Sequence, residues 1–380
     1  MGAEEDLVNR QTAYDPFARG RHPVGVRTIE FHDLSLADRP IPIEVWYPAT
    51  DAYYGQDLAD GTRDRFVVAP GLRMATQNAV RDAEAIDGVF PLVMYFHGGY
   101  GHQRECTHLS THLASNGYVV AAPAFPGDNI VDLMPANEAE ATVARTPIDE
   151  SAMKRPRQAS SLIEHLISRT GMGFGVDADR IGTMGFSMGG FTALAVNSVS
   201  RRPRAVFAMC PLWGQRSMLP QVRRLAPLLR VDDWGRPVAT CLLTGELDPM
   251  VVADDVRLLH RTLALPKRLY VLARAGHLHW ADGAQAAHEQ FRQAYLSGAF
   301  PDPEIDAIAL GTAMRPFAEL CSEEAAGDAT RALCLAHMDA AFKANTTASA
   351  FLDDEVVRTL AARGVGLEAA GDTRTAASAK

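Results

Sequence analysis

Between Val89 and Leu296 the chain alternates short apolar runs with longer segments of helical periodicity, and this alternation most limits the folds open to it. The run Val89–Phe96 (VFPLVMYF) is continuously apolar, which is typical of a strand buried on both faces. Strands that alternate with helices at this spacing predict an α/β protein. Its central sheet should be mostly parallel, with helices on both faces.

The apolar runs and the periodic segments define an expected order of elements. Strands are predicted at 26–31, 41–47, 89–96, 118–122, 180–186, 204–209, 238–244 and 268–272. Helices are predicted at 105–115, 151–169, 188–199, 254–265 and 283–296. Ligands of such sheets bind outside the carboxyl ends of the strands. Reactive side chains that directly follow strands are therefore the first candidates for a site.

The pattern changes after about residue 300. We expect one α/β domain over residues 1–300, a helical C-terminal extension over 301–363 and a disordered tail over 364–380. The segment 127–149 has no clear strand or helix pattern and lies between a strand end and a helix. It could serve as a lid over a site.

The charge balance excludes some partners. The formal net charge is −9, and an acidic chain repels phosphate backbones, so no nucleic-acid partner is expected. The basic clusters at 201–204 and 223–224 are short and are interpreted as solvated surface. No stretch approaches the ~20 apolar residues that a membrane span needs. Residues 1–10 are polar and acidic, unlike a signal peptide, so a cytoplasmic location is expected.

The five cysteines include no C-x-x-C pair, and their odd number argues against a disulfide framework. Cys210 and Cys241 lie inside apolar runs and are expected to be buried thiols. Cys321 and Cys334 could pair with each other.

The segment Gly185–Gly190 (GFSMGG) contains a G-x-S-x-G pattern between a predicted strand and a predicted helix. In that context the serine occupies a sharp, strained turn that exposes its hydroxyl, and the glycines keep its surroundings free of bulk. The following helix N-terminus favours negative charge. Ser187 is therefore the predicted nucleophile.

A serine nucleophile needs a base, and the base needs a carboxylate, in the order Ser, Asp or Glu, His for this kind of sheet. Asp248 follows the second predicted strand after Ser187, at 238–244, and lies in a turn with Pro249. It is the preferred acid. Glu246 is the main alternative. Asp254 and Asp255 fall at the start of a helix and are interpreted as cap residues.

His277 follows the last predicted strand of this series and is the preferred base. It comes after Gly276, whose conformational freedom lets the loop present the imidazole. His279 is the alternative, and it would point to the other side of an extended chain.

An oxyanion hole needs two backbone N–H groups. One is expected from Met188, and the other from the loop His97–Tyr100, where Gly99 is preferred and Tyr100 remains open. The aromatic residues near the strand ends could line a substrate pocket, or could simply pack the loops onto the sheet: Tyr100, Phe125, Trp213 and Trp280.

Two histidines, His108 and His112, are four residues apart on a predicted helix and could form half of a metal site. No third ligand stands out, so an ordinary helix face is the preferred interpretation. Neither a metal nor a cofactor is expected.

The chain resembles an α/β-hydrolase of the branch called predicted dienelactone hydrolases. It is similar to platelet-activating-factor acetylhydrolases and, more distantly, to cutinase-like polyester hydrolases. The resemblance covers roughly residues 22–296. It rests on VWYPA (45–49), YFHGG (95–99), LASNGYVVA (113–121), DRIG (179–182), GFSMGG (185–190), TGELD (244–248) and AGH (275–277).

The resemblance implies hydrolysis of a small-molecule carboxylic ester through an acyl-enzyme, without a cofactor. True dienelactone hydrolases have a cysteine nucleophile where this chain has Ser187, so lactone opening is not carried over. An acyltransferase or thioesterase with the same triad, and a catalytically idle binding protein of this fold, remain alternatives. The oligomeric state is left open.

Overall fold

The computed structural model describes residues 14–32, 39–69, 71–72, 74–134, 146–298 and 304–372. Its strands are β1 (Val24–Phe31), β2 (Ile41–Pro48), β3 (Arg65–Val67), β4 (Met74–Thr76), β5 (Val80–Arg81), β6 (Val89–Phe96), β7 (Val119–Pro123), β8 (Gly175–Phe186), β9 (Pro203–Met209), β10 (Ala239–Gly245), β11 (Lys267–Leu272) and β12 (Leu367–Asp372). Its helices are α1 (Thr107–Ser115), α2 (Ile130–Leu133), α3 (Ile148–Ser168), α4 (Met188–Ala195), α5 (Pro220–Leu225), α6 (Ala253–Thr262), α7 (Ala284–Leu296), α8 (Ala307–Ala313), α9 (Glu323–Phe342), α10 (Thr346–Ala350) and α11 (Val356–Ala362).

Ten of these strands form one sheet in the order β12-β11-β10-β9-β8-β6-β7-β2-β1-β5. The six strands from β11 to β7 are parallel to their neighbours. At one side β2 is antiparallel to both β7 and β1, and at the other β12 is antiparallel to β11. The predicted α/β fold with a mostly parallel central sheet is therefore confirmed, and the carboxyl ends of β6 and β8–β11 meet at one edge.

Helices cover both faces of the sheet. Gly182 and Gly185 lie three residues apart on β8, so they face opposite sides. A side chain on Gly182 would meet Met338 of α9, whereas one on Gly185 would meet the backbone at the start of α4. The C-terminal helix α9 therefore covers one face, against β9, β10 and α1, and α4 with α3 covers the other.

From α9 onward the C-terminal residues share the main hydrophobic core, whereas Leu310 and Met314 of α8 pack with Met250 and Tyr295 in a small separate cluster. Side chains from α9 to α11 belong to the same buried cluster as the central strands. The prediction of a disordered tail over 364–380 is wrong for Leu367–Asp372, which form β12. Small residues bury little apolar surface, but β11 offers an unpaired backbone edge, and hydrogen bonding to that edge does not depend on apolar side chains.

The proposed lid, 127–149, is only partly within the described residues. Its beginning forms α2 and its end the first turn of α3, and residues 135–145 lie outside the described part of the chain. All five cysteine thiols are free and buried, including Cys321 and Cys334. Among the described residues, no helix is both long enough and apolar enough to cross a membrane.

Candidate active site

Ser187 lies in the sharp turn between β8 and α4, which we call the serine turn (Gly185–Gly190). Its backbone has φ 58° and ψ −117°, and residues other than glycine rarely adopt such a positive φ. Three backbone hydrogen bonds hold Ser187 in this conformation. Its N–H donates to Met209 O, and its carbonyl oxygen accepts from Phe191 N and Leu212 N. Strain maintained in this way is common at functional sites.

The glycines of the serine turn are required by close backbone contacts. A Cβ on Gly185 would lie 2.3 Å from the carbonyl oxygen of Gly189, and one on Gly189 would lie 1.8 Å from that of Phe96. Real Cβ atoms do not approach oxygens this closely, and backbone atoms cannot move aside as a side chain can. Strand β8, α4 and β6 therefore approach each other at distances that only glycine allows.

His277 reaches Ser187 from the loop after β11. The Nε2 atom of its imidazole lies 2.9 Å from Ser187 Oγ, and Nδ1 lies 2.7 Å from Asp248 Oδ2. The ring packs against Phe186, with centroids 5.0 Å apart. Because Nδ1 faces a carboxylate, it carries the proton, and the lone pair of Nε2 faces the serine hydroxyl.

Asp248 follows β10, and both of its carboxylate oxygens have partners. Oδ1 accepts hydrogen bonds from Met250 N at 2.8 Å and Val251 N at 2.9 Å, which leaves Oδ2 for the imidazole. Ser187, His277 and Asp248 are 7%, 5% and 4% exposed, so the three form a buried hydrogen-bonded chain.

The alternative acids and the alternative base have other partners. Glu246 Oε2 accepts from Arg274 N at 2.9 Å. Asp254 pairs with Arg257, and Asp255 accepts from Arg216 N.

His279 lies behind the loop that carries His277. Its Nδ1 accepts from Gly276 N at 3.1 Å, and its Nε2 donates to Cys321 O at 3.0 Å. Its ring stacks on Phe317 with centroids 4.9 Å apart, and burial lowers the pKa of the imidazole. His279 thus connects the loop that carries His277 to the C-terminal part of the chain.

The glycine loop, His97–Tyr100, lies beside the serine turn. A Cβ on Gly99 would lie 3.8 Å from that of Met188, so the two residues predicted to bind an oxyanion are neighbours. Gly98 N donates to Glu105 Oε1 at 2.5 Å, and Tyr100 N donates to Asp128 Oδ1 at 2.9 Å.

The N–H groups of Gly99 and Met188 do not bind carboxylates as those of Gly98 and Tyr100 do. Within the described part of the chain, no hydrogen bond uses the N–H of Gly99. Met188 is the first residue of α4, where an N–H has no partner inside the helix.

The four aromatic residues predicted to bind substrate divide into two pairs. Phe125 is 1% exposed and Trp280 is fully buried, so neither is a surface that substrate can touch in this conformation. Phe125 packs on Phe96, and Trp280 donates from Nε1 to Cys210 Sγ. Their bulk fills the space beneath the loops. Tyr100 and Trp213 are partly exposed and remain candidates.

A possible metal-ligand set overlaps this site. Ligand atoms of Cys210, Asp248 and His277 all lie within 4.8 Å of one another. Burial and the charge of Asp248 raise the pKa of the Cys210 thiol well above its usual range, which disfavours the thiolate that binds metals. Asp248 and His277 are also committed to each other. These contacts fit a hydrogen-bonded chain of side chains better than a metal centre.

The predicted half-site of His108 and His112 is also committed elsewhere. His108 Nδ1 contacts Asp282 Oδ1 at 2.7 Å, whereas His112 Nε2 donates to Pro16 O.

Comparison with known proteins agrees with this architecture. The model of the dienelactone hydrolase family matches residues 80–294, more than half of the chain. Among solved structures, the chain is similar to a ferulic acid esterase from Streptomyces cinnamoneus, with 20% sequence identity and a TM-score of 0.58. That alignment covers 86% of this chain and 92% of the other, and at this identity it shows a shared fold. The search of curated proteins gave no significant match.

Proposed function

Because the chain belongs to the dienelactone hydrolase family and is a carboxylic ester hydrolase, we propose that Ser187, His277 and Asp248 are its catalytic triad. The observation that carries the proposal is the buried hydrogen-bonded chain from Asp248 Oδ2 through the imidazole to Ser187 Oγ, at 2.7 and 2.9 Å. These are the distances over which a base can take a proton from a hydroxyl.

In the first half of the reaction, Ser187 Oγ attacks the ester carbonyl carbon while its proton passes to His277 Nε2. Asp248 stabilises the imidazolium that forms and holds its orientation. The tetrahedral intermediate then collapses, the bond to the alcohol oxygen breaks, and the imidazolium gives its proton to the leaving alcohol. The acyl group is now an ester of Ser187.

In the second half, water replaces the alcohol. His277 Nε2 takes a proton from the water as its oxygen attacks the acyl carbonyl, and the proton then returns to Ser187 Oγ as the carboxylic acid leaves. Each step uses side chains of the triad and water.

The negative charge that forms on the carbonyl oxygen is proposed to bind the N–H groups of Met188 and Gly99. Gly98 N and Tyr100 N are used by carboxylates in this conformation, which supports Gly99 over Tyr100 as the second donor. The start of α4 adds the positive potential of a helix N-terminus. Loss of one such donor typically lowers turnover by ~10²–10³.

A panel of p-nitrophenyl esters of rising acyl length, with an aromatic acyl ester included, tests the proposal. We expect hydrolysis by the native chain and none above background by Ser187→Ala. A fluorophosphonate probe should label the native chain but not Ser187→Ala. If the variant is folded and is not labelled, the nucleophile is Ser187. Undiminished ester hydrolysis by Ser187→Ala would contradict the proposal.

The same assay separates hydrolysis from acyl transfer. With an added alcohol or amine acceptor, water should remain the main acceptor of the acyl group. Faster transfer to the acceptor than to water would make the chain an acyltransferase with the same triad.

A further inference from the structure

Three charged side chains, all buried, surround the glycine loop and bind its backbone. They come from separate parts of the chain: Glu105 precedes α1, Asp128 follows β7, and Arg155 lies on α3. Burying a charge is unfavourable unless the charge has well-placed partners. Three such charges around four residues therefore indicate a specific task at this loop.

Arg155 binds the carbonyl side of the loop. Its Nη1 donates to His97 O at 2.6 Å and its Nη2 to Gly98 O at 3.1 Å, while Nε pairs with Asp128 Oδ2 at 2.8 Å. The guanidinium is 1% exposed and lies over the ring of Phe125, 4.6 Å from its centroid. The planar fork of arginine suits two adjacent carbonyls and one carboxylate at once.

Glu105 and Asp128 bind the N–H side of the loop. Glu105 Oε1 accepts from Gly98 N and also from the hydroxyl of Tyr95 at 2.7 Å. Asp128 Oδ1 accepts from Tyr100 N, whose residue has a positive φ of 57°. The three charges together bind the carbonyls of His97 and Gly98 and the N–H groups on either side of Gly99.

We propose that Glu105, Arg155 and Asp128 are positioning residues that direct the N–H of Gly99 toward the substrate oxyanion. A Gly-Gly pair would otherwise sample many backbone conformations. Oxyanion stabilisation depends on donors that are already oriented before charge develops. The inference rests on the proposed function, and it adds residues that touch neither the substrate nor the triad.

Protonation of Glu105 offers a readout that a simple packing role would not give. Burial raises the pKa of the Glu105 carboxyl to about 7, although Gly98 N, Tyr95 and Arg155 oppose the rise by stabilising the anion. Above that pH the carboxylate accepts from both Gly98 and Tyr95; below it, the added proton needs an acceptor in a buried site. The titratable and charged groups around Glu105 are Tyr95, His102, Cys106, Arg155 and Asp282.

The first experiment compares Glu105→Ala with Glu105→Gln in the full chain at pH 8. The alanine variant loses the acceptor for Gly98 N, and kcat should fall by ~10²-fold, the typical loss of one oxyanion donor, with KM nearly unchanged. The glutamine variant keeps one oxygen for Gly98 N, so its kcat should stay within about tenfold of the native value.

Asp339→Asn is the matched control. Asp339 is a buried carboxylate that accepts from the hydroxyls of Tyr118 and Tyr14, but it lies on α9, away from the glycine loop. The substitution Asp339→Asn should lower the melting temperature and leave kcat unchanged. An equal loss of kcat in Asp339→Asn and Glu105→Ala would mean that buried carboxylates act here through stability alone, and would overturn the inference.

The second experiment is the pH profile of kcat/KM. In the native chain, protonation of Glu105 should lower kcat/KM as the pH falls through about 7, the pKa to which burial raises this carboxyl. Glu105→Gln cannot titrate at this position, so this inflection should be missing from its profile. A native-like profile in Glu105→Gln would overturn the inference even if Glu105→Ala failed to fold.

Two results separate this inference from the proposed function. If Ser187→Ala is inactive while both Glu105 variants match the native chain, the triad stands and the positioning role is wrong. If Ser187→Ala is fully active, the proposed function itself is wrong. A fluorophosphonate should still label Glu105→Ala completely, although more slowly than the native chain. This result would show that the nucleophile is intact.

Discussion

The two halves of the site, the serine turn and the glycine loop, are held in place in different ways. The serine turn is fixed by backbone against backbone, through glycines two residues on either side of Ser187. The glycine loop is fixed by charged side chains, and one of these, Arg155, is 58 residues from the carbonyl of His97 that it binds. The same site thus combines a turn held by close backbone contacts with a loop held by buried charged side chains.

That difference has a consequence for how each half can fail. Adding a methyl group should destroy the serine turn, because the neighbouring backbone cannot move aside. Removing a distant charge should loosen the glycine loop and leave the turn intact.

The largest effect is expected in the triad itself. Ser187→Ala and His277→Ala should each lower kcat by roughly 10⁴–10⁶-fold, because triad members act as a unit. Melting temperatures and circular dichroism should stay close to native, since the turn and the loop both remain. A loss below 10²-fold in either variant, with the fold intact, would mean that the triad is misassigned.

The acid of the triad comes next. Asp248→Asn should lower kcat by about 10⁴-fold, because an amide can no longer stabilise the imidazolium or fix its tautomer. Glu246→Gln keeps an oxygen for Arg274 N and should change kcat by less than about threefold, in line with surface substitutions away from a site. Steady-state kinetics of the pair decides between the two carboxylates, and the reverse ranking would assign the acid to Glu246.

A pair of glycine substitutions contrasts the two halves directly. In Gly189→Ala the new Cβ would lie 1.8 Å from Phe96 O, and we expect loss of activity with destabilisation by more than about 4 kcal/mol. In Gly98→Ala the new Cβ would be 3.4 Å from the Phe186 ring, an ordinary contact, and stability should change by about 1 kcal/mol or less. Urea unfolding measures both, and equal costs would mean that the two halves do not differ as described.

A much smaller effect on chemistry than in the triad is expected at His279. His279→Ala loses two hydrogen bonds and a stacked ring, which should cost about 2–3 kcal/mol of folding free energy. Because the imidazole positions the loop from behind and does not contact Ser187, kcat should fall by about tenfold or less, far less than in His277→Ala. Kinetics at a temperature well below both melting points checks this ranking, and an inactive, folded His279→Ala would reassign the base.

The sequence alone was sufficient for the features that depend on neighbouring residues. Buried parallel strands are continuously apolar because both of their faces are covered, so β6 to β11 could be located from hydropathy. Ser187 could be singled out because the turn needs glycines at fixed positions around it. Placing Asp248 and His277 beside it needed one more rule, that the carboxyl ends of parallel strands meet at one edge.

Tertiary structure decided what depends on distant partners. Arg155 lies in an ordinary helical pattern, and nothing in its local sequence indicates that it binds the glycine loop. Phe125 and Trp280 are aromatic, as residues that line pockets often are, but both are buried because the loops fold back over them. Strand β12 is formed by a segment of small residues, since the backbone edge of β11 supplies hydrogen bonds that hydropathy does not record. Local patterns thus determined which residues could react, and packing between distant segments determined which residues hold them in place.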